Sequence, residues 1–367
     1  MENYRKLIGS ITIITFSYAA SRVLGFFREI LLANWAGVSE ATDTLDLAFI
    51  IPDFLFYLSA GGYLAITLIP IMSSKEKSEL NNYFISIFYG LSIIFVLFSL
   101  ITYSLRFQFA ELLGVKSLDF FIEVFTPIIF SQVFFFVGAI LMSYQYFHDN
   151  FKYAALAPVV YNSTIILFGW LNSSTPEGTI KGFATGTLVG SIIGHFLIQL
   201  YGVKKSGLNF NFTSPRYVDL KEYITISLPL ILGQSIAVVD EQLFRVFGSF
   251  LAAGSVATFR YARRIALLPV GIVAQAVGVA SYPLLSRLFH KNDINKLLEL
   301  VKKQLSYLFL IGSSLMVVAI INAEYLIEII YERGAFTRDD TIRVSSVFTI
   351  ISLAIVPWSI NQILTRS

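Results

Sequence analysis

Apolar segments long enough to cross a lipid bilayer recur along almost the whole chain. Ten of them, separated by short polar breaks, cover residues 8–34, 43–72, 82–105, 122–147, 153–172, 178–203, 222–251, 255–289, 297–322 and 340–365. A bilayer core about 30 Å thick needs about 20 apolar residues in a helix, whereas a membrane β-strand needs about ten in alternation. The run IIFSQVFFFVGAILM has no such alternation. The sequence therefore predicts an all-α polytopic membrane protein with about ten transmembrane helices.

The composition argues against several other classes of protein. Only 14% of the residues are charged and 56% are hydrophobic, whereas about a quarter of a soluble domain is charged. The chain has no cysteine and three scattered histidines, which argues against disulfides and metal sites. It has no Ser-His-Asp constellation and no phosphate-cradling glycine loop. We therefore expect a protein that is not an enzyme, binds no nucleic acid and needs no cofactor. We also expect a monomer. Whether a coupling cation or the membrane potential supplies energy to it stays open.

Lys and Arg residues outside the apolar segments indicate the orientation. The side that holds the N-terminus has 14 of them, namely Arg5, Lys6, Lys75, Lys77, Lys152, Lys204, Lys205, Arg216, Lys221, Arg287, Lys291, Lys296, Lys302 and Lys303. The opposite side has five, namely Arg106, Lys116, Lys181, Arg333 and Arg338. Because basic loops remain on the cytoplasmic side of a membrane, we expect a cytoplasmic N-terminus.

Eight basic residues lie inside the predicted helices or at the chain end, namely Arg22, Arg28, Arg245, Arg260, Arg263, Arg264, Arg343 and Arg366. Each costs about 2.5–3.5 kcal/mol at a helix centre unless it snorkels, finds a partner or meets water. Arg28 lies close enough to the outer end of its helix to snorkel, so a structural and a functional role both stay open. Arg22 lies about 21 Å along the helix from Ile8, near mid-membrane, which favours a functional role.

A second concentration of positive charge lies in the segment FRYARRIALLP. Arg260, Arg263 and Arg264 are related by three and four residues and therefore share one helix face. Asp43 and Asp46, near the start of the second helix, are the candidate interhelical counter-ions. We expect a cationic, water-filled cavity in the outer half of the bundle, which calls for an anionic ligand.

Two acidic residues of the seventh predicted helix have other interpretations. Glu241 lies four residues before Arg245, and this spacing favours a structural ion pair. Asp240 together with Glu241 is a candidate site for a coupling ion.

The chain contains an internal repeat. AGVSEAT at 36–42 and AAGSVAT at 252–258 both precede a helix interrupted by proline. Six helices separate the two copies, and an even number makes the repeat parallel, with its axis along the membrane normal. The repeat predicts two six-helix lobes around a central cavity. We assign residues 1–203 to the first lobe, 204–221 to a basic cytoplasmic linker and 222–367 to an incomplete second lobe.

Five short motifs are spread over nearly the whole chain. In order they are SRVLGFFRE (21–29), ATDTLDLAFIIPDF (41–54), GSVATFRYARRIALLPVGI (254–272), YPLLSRLF (282–289) and YERGAFT (331–337). They resemble the MurJ/MviN family, lipid II flippases of the MOP superfamily. The resemblance implies a MATE-like two-lobe bundle of fourteen helices in the bacterial inner membrane. It also implies that an undecaprenyl-pyrophosphate-linked peptidoglycan precursor is moved to the outer leaflet by alternating access. Because only ten helices are predicted here, we expect a C-terminally truncated chain.

The resemblance also implies which residues meet the substrate. Arg22, Arg28 and Arg264 match the cavity arginines of the family, and Asp43 matches its helix-2 aspartate. Planar guanidinium groups suit the pyrophosphate of such a lipid because they bind its oxygens in pairs.

The second helix departs from the family pattern. Members have a further arginine after Leu-Pro-Asn-Leu-Leu, where this chain has Phe56 and Tyr57. Arg260 and Arg263 are candidates to compensate for it. Three alternatives stay open, namely a flippase for a different lipid-linked oligosaccharide, a cation or drug antiporter, and an inactive fragment. A cation antiporter would need acidic residues in its cavity.

Small residues in the run GFATGTLVGSIIG, at 182–194, are typical of close packing between membrane helices.

The charge count gives a prediction about topology. Because the chain has no native cysteine, single cysteines replacing Ser39 and Ser173 should react with a membrane-impermeant maleimide in intact cells. Cysteines replacing Ser78 and Ser206 should react only after the cells are permeabilised. The reverse labelling pattern would contradict the orientation.

Overall fold

A computed structural model describes the backbone of residues 2–59, 63–211, 213–291 and 293–364. Every regular element within these ranges is helical, which confirms the all-α class. The chain divides into two compact units, Met1–Ala253 and Gly254–Ser367. The lobe boundary expected at 204–221 stays a prediction.

The described part of the first unit contains α1 Glu2–Ala36, α2 Glu40–Ser59, α3 Tyr63–Ser74, α4 Lys77–Ser104, α5 Arg106–Leu112, α6 Leu118–Phe147, α7 Lys152–Leu171, α8 Pro176–Gly190, a π-helical segment Ser191–Leu197, α9 Ile198–Lys205 and α10 Tyr217–Ser249. The described part of the second unit contains α11 Ser255–Pro269, a π-helical segment Val270–Ala274, α12 Gln275–His290, α13 Ile294–Ile321, α14 Ala323–Tyr331, α15 Arg338–Ser352 and α16 Ile355–Leu364.

Among the described residues, five helical stretches are both long and apolar enough to cross a membrane. They are Lys77–Ser104, Leu118–Phe147, Lys152–Leu171, Pro176–Lys205 and Ile294–Ile321. The pair α15 and α16, bent by 44°, makes a sixth if it is counted as one span. The other predicted segments are also helical but are interrupted or carry charged residues. Segment 43–72, for example, contains α2 and α3, with residues 60–62 between them outside the described ranges.

The surfaces of the long helices are suited to lipid. Large apolar side chains are exposed along α4 and α13, namely Ile93, Ile94, Leu97, Ile101, Phe309, Leu310, Val317 and Ile321. In water such surfaces would favour aggregation, whereas hydrocarbon chains cover them at no cost. These exposed faces agree with the predicted membrane protein.

A core of apolar side chains joins α3, α4, α6 and α9 in the first unit. Leu68, Phe84, Ile140 and Val203 are fully buried in it. The rings of Phe84 and Tyr144 lie 4.6 Å apart between centroids and join α4 to α6. This core fixes the helices on one side of the unit.

Glycines bring α8 and the π-helical segment that follows it close to α7. A Cβ atom added at Gly186 would lie 2.7 Å from the Cα of Ile165, and one at Gly194 would lie 2.9 Å from the carbonyl oxygen of Ala157. Only a residue without a side chain allows this approach. The prediction of close helix packing at 182–194 is therefore confirmed.

We predict that Gly186→Ala destabilises the protein by about 1–3 kcal/mol through overpacking. The clash with the α7 backbone outweighs the gain of about 0.5–1 kcal/mol that alanine brings to a helix. Thermal unfolding of the purified protein in detergent measures the change.

The matched control is Gly312→Ala in α13, where the nearest atom to an added Cβ is the Cα of Val356, 3.6 Å away. This variant should unfold at or above the wild-type temperature. Equal losses in the two variants would contradict the close approach of α7 and α8.

Candidate functional site

Arg28 lies in the C-terminal third of α1 and is bound by two partners. Its Nη1 donates a hydrogen bond of 3.1 Å to Oδ1 of Asn162 on α7, and its Nη2 lies 3.0 Å from Oε1 of Glu29. The Arg28 side chain is 24% exposed, whereas the Glu29 side chain is only 7% exposed. The guanidinium group is thus fixed between α1 and α7 and keeps access to its surroundings.

Arg22 is exposed on α1. It lies six residues before Arg28, which is about 9 Å along the helix and about 120° around it. The two arginines therefore occupy different faces of α1 within the first unit.

Acidic residues of α2 are buried near its N-terminus. Asp43 lies in the first turn and lines a small cavity of about 20 Å³ together with Lys116. Asp46 is buried one turn later. Their predicted role as counter-ions of the arginines stays a prediction.

Arg245 of α10 forms an ion pair with α2. Its Nη1 donates to Oδ2 of Asp53 at 2.8 Å. Asp53 follows Pro52, whose missing N–H leaves a backbone carbonyl of α2 without its usual donor. The pairing that the sequence predicted for Arg245, with Glu241, involves a side chain outside the described residues. The partner found in the structure is 192 positions away in the sequence.

Arg28 and Arg245 each have an acidic partner within the first unit, Glu29 and Asp53 respectively. Glu29, Asn162 and Asp53 were not assigned a role from the sequence. A signal was present, because Asn162 is a polar residue within the apolar stretch VVYNSTIILFGW.

The second unit has its own group of arginines on α11. The guanidinium carbon of Arg260 lies 4.7 Å from the ring centroid of Tyr261. That of Arg263 lies 5.7 Å from the Trp358 ring of α16. Aromatic faces attract such cations. Arg264 is exposed, while Arg260 and Arg263 are half-buried.

The proposed coupling-ion residues lie in the C-terminal third of α10. Asp240 is exposed, and the side chain of Glu241 falls outside the described residues. The role of this pair stays a prediction. Within the described residues, no group of three or more His, Asp or Glu side chains could hold a metal ion.

The chain is similar to proteins of one family over most of its length. The family model described as "Lipid II flippase MurJ" matches residues 32–367. A "Probable lipid II flippase MurJ" from Buchnera aphidicola subsp. Baizongia pistaciae is 26% identical over 380 residues, covering 99% of this chain and 72% of the relative. A protein of the same description from Helicobacter pylori is 26% identical, with coverage of 91% and 77%.

Solved structures have the same fold. The structure described as "Lipid II flippase MurJ, inward closed conformation" matches with a TM-score of 0.81 at 25% identity, over 97% of this chain and 75% of that one. A MOP superfamily transporter from Pyrococcus furiosus matches with a TM-score of 0.62 at 15% identity, with coverage of 97% and 83%. The second likeness concerns the fold alone.

Removing the buried acid beside Arg28 should be costly. Glu29→Gln leaves an arginine charge without its adjacent carboxylate, and we predict a loss of about 2–3 kcal/mol in unfolding free energy. This value is below the loss of about 3–5 kcal/mol typical of a fully buried pair, because the Arg28 side chain is 24% exposed. Thermal unfolding in detergent measures it.

The control is Glu123→Gln, which removes the acid of an exposed pair with Lys181. We expect a change of less than about 1 kcal/mol there. A Glu29 variant as stable as the Glu123 variant would show that Glu29 does not hold Arg28.

Proposed function

The chain belongs to the MurJ family of lipid II flippases, and on that premise we propose that it moves lipid II from the inner to the outer leaflet of the bacterial inner membrane. The family match over residues 32–367 carries this proposal. The chain is a multi-pass membrane protein of the MOP fold. We further propose a cytoplasmic N-terminus, because the loops on that side are the more basic ones.

Intramembrane guanidinium groups supply the chemistry that lipid II requires. Its pyrophosphate is anionic, and transfer of that charge through hydrocarbon is unfavourable without a charged partner. Arg28 supports this role because its side chain is fixed by Asn162 and Glu29 and remains partly exposed. A planar fork held in this way binds phosphate oxygens with little further loss of side-chain entropy.

We propose Arg22, Arg28 and Arg264 as the primary headgroup ligands. We also propose that Asp43 or Asp46 holds a cavity arginine when lipid is absent. Arg260 and Arg263 would add positive charge in the second unit. Their contacts with Tyr261 and Trp358 support this role, because cation–π contacts hold a guanidinium group without neutralising it.

Transport by alternating access is part of the proposal. An antiporter for cationic drugs is less well supported, because the MATE structures that match this chain are only 13–15% identical to it and show the fold alone. The arginines inside the helices also repel cations.

The test is to replace the arginines singly and measure lipid II transfer. We predict that Arg22→Ala, Arg28→Ala and Arg264→Ala are inserted in the membrane at normal levels. Each should lower transfer at least about tenfold, because each removes charge-assisted hydrogen bonds worth about 1.5–3 kcal/mol. Lysine at the same positions should restore little lipid II transfer, because its ammonium group lacks the planar guanidinium geometry that binds two phosphate oxygens at once. Transfer is measured in cells that depend on this chain, by cleavage of outer-leaflet lipid II with an externally added enzyme.

Arg333→Ala is the matched control. Arg333 is exposed after α14, where its guanidinium group donates to the carbonyl oxygen of Ile329, and its loss should leave transfer unchanged. Wild-type transfer by both the Arg22 and Arg264 variants would reject the anionic-headgroup mechanism.

A further inference from the structure

We infer that a cavity in the first unit is a binding site for a small, neutral, apolar alcohol, with His195 as the residue that binds the hydroxyl group. The cavity has a volume of about 340 Å³, and its lining comes from α1, α6, the start of α7 and the π-helical segment Ser191–Leu197. None of its described lining residues is an arginine proposed to bind the lipid II headgroup. The inference therefore goes beyond the proposed function.

The lining of the cavity determines the kind of molecule that it suits. Of the eight described residues that line it, five are apolar, and the three polar ones are Ser17, Tyr146 and His195. None of the eight is an aspartate, glutamate, lysine or arginine, so an ion would lose its hydration there without a partner of opposite charge. An apolar lining with a few polar groups is typical of sites for small neutral molecules.

The volume of the cavity limits the size of the ligand. An apolar cavity of about 150 Å³ holds one benzene molecule. At about 340 Å³ this cavity has room for a molecule of about twice that size, such as one with two fused rings.

His195 has a buried ring nitrogen with a hydrogen bond to make. Its Nδ1 atom is buried and has no hydrogen-bond partner among the described residues. Buried polar atoms in folded proteins nearly always have such a partner, because leaving one without it costs free energy of folding. In a neutral imidazole, Nδ1 donates in one tautomer and accepts in the other, and a hydroxyl group can match either. The His195 ring therefore suits an alcohol.

The protein holds the His195 ring in a fixed position. The ring centroid lies 4.1 Å from that of Phe135 on α6 and 5.7 Å from that of Tyr161 on α7. A Cβ atom added at Gly138 would overlap the carbonyl oxygen of His195, so α6 is packed directly against this backbone. The residue also lies in a π-helical segment, a rare conformation that is frequent at functional sites. A ring held in this way binds a ligand with little further loss of side-chain entropy.

The experiment compares two probes that share fused rings and differ in one group, 2-naphthol with a hydroxyl and 2-methylnaphthalene with a methyl. Each tritiated probe is titrated against the purified full chain in detergent, and the uptake by empty micelles is subtracted. We expect 2-naphthol to bind about tenfold more tightly, because the methyl group leaves Nδ1 of His195 without a partner.

Two substitutions test the site itself. His195→Phe keeps a ring against Phe135 and Tyr161 but removes Nδ1, so the two probes should bind this variant within about twofold of each other. Ala155→Leu adds bulk to the lining and should weaken the binding of both probes at least about tenfold. Because Ala155 is half-buried, this variant also decides the question if His195→Phe fails to fold.

His148→Phe is the matched control. His148 is exposed at the end of α6, and its Nδ1 lies 3.0 Å from the carbonyl oxygen of Tyr144. Its replacement should leave both dissociation constants unchanged. Absence of binding, equal binding of the two probes to the wild type, or a preference for 2-naphthol that persists in His195→Phe would overturn the inference.

Farnesol distinguishes two sources of such an alcohol. If farnesol displaces 2-naphthol from the wild type, the site accepts the hydroxyl end of a chain-like membrane alcohol. If it does not, the ligand is a compact alcohol. Both results support the site, and neither depends on lipid II transfer.

Discussion

A positive charge inside a bilayer must be matched by an anion or by water, and much of this structure follows from that constraint. In the first unit, Arg28 is matched by Glu29 and by the amide of Asn162, and Arg245 is matched by Asp53. A protein that needed only stability would place apolar side chains at these positions. The acids therefore lower the cost of keeping these arginines in the membrane, and we propose that Arg28 keeps the ability to bind an anionic ligand.

Close helix packing keeps these groups in place. The glycines at Gly186 and Gly194 bring α8 and its π-helical continuation against the backbone of α7, which carries Asn162. Because interior packing transmits shifts of a few tenths of an ångström, a small displacement of α7 moves the amide that binds Arg28. The helix interface that stabilises the first unit thus also positions the amide that binds Arg28.

The sequence predicted the helices well, because apolar runs of spanning length depend only on local composition. The sequence also identified the intramembrane arginines as unusual, because a charged residue within an apolar run is visible in local composition. The pairing expected between Arg245 and Glu241 stays a prediction, because the Glu241 side chain lies outside the described residues. The partner that the structure shows for Arg245 was not among those expected: Asp53 lies 192 residues away on another helix. Such contacts depend on the packing of distant helices, which no local pattern contains. The π-helical segment Val270–Ala274 within segment 255–289 was likewise not specified by hydropathy alone.

The central claim is that charge inside the membrane selects a pyrophosphate-bearing lipid. The most direct test compares the affinities of the wild-type chain for undecaprenyl pyrophosphate and for undecaprenol in nanodiscs of a zwitterionic lipid. The two ligands share a tail and differ in the anionic group, so the ratio of their dissociation constants isolates the contribution of that group. We predict that the pyrophosphate binds at least about tenfold more tightly, with the difference decreasing as salt is added. Equal affinities would contradict it.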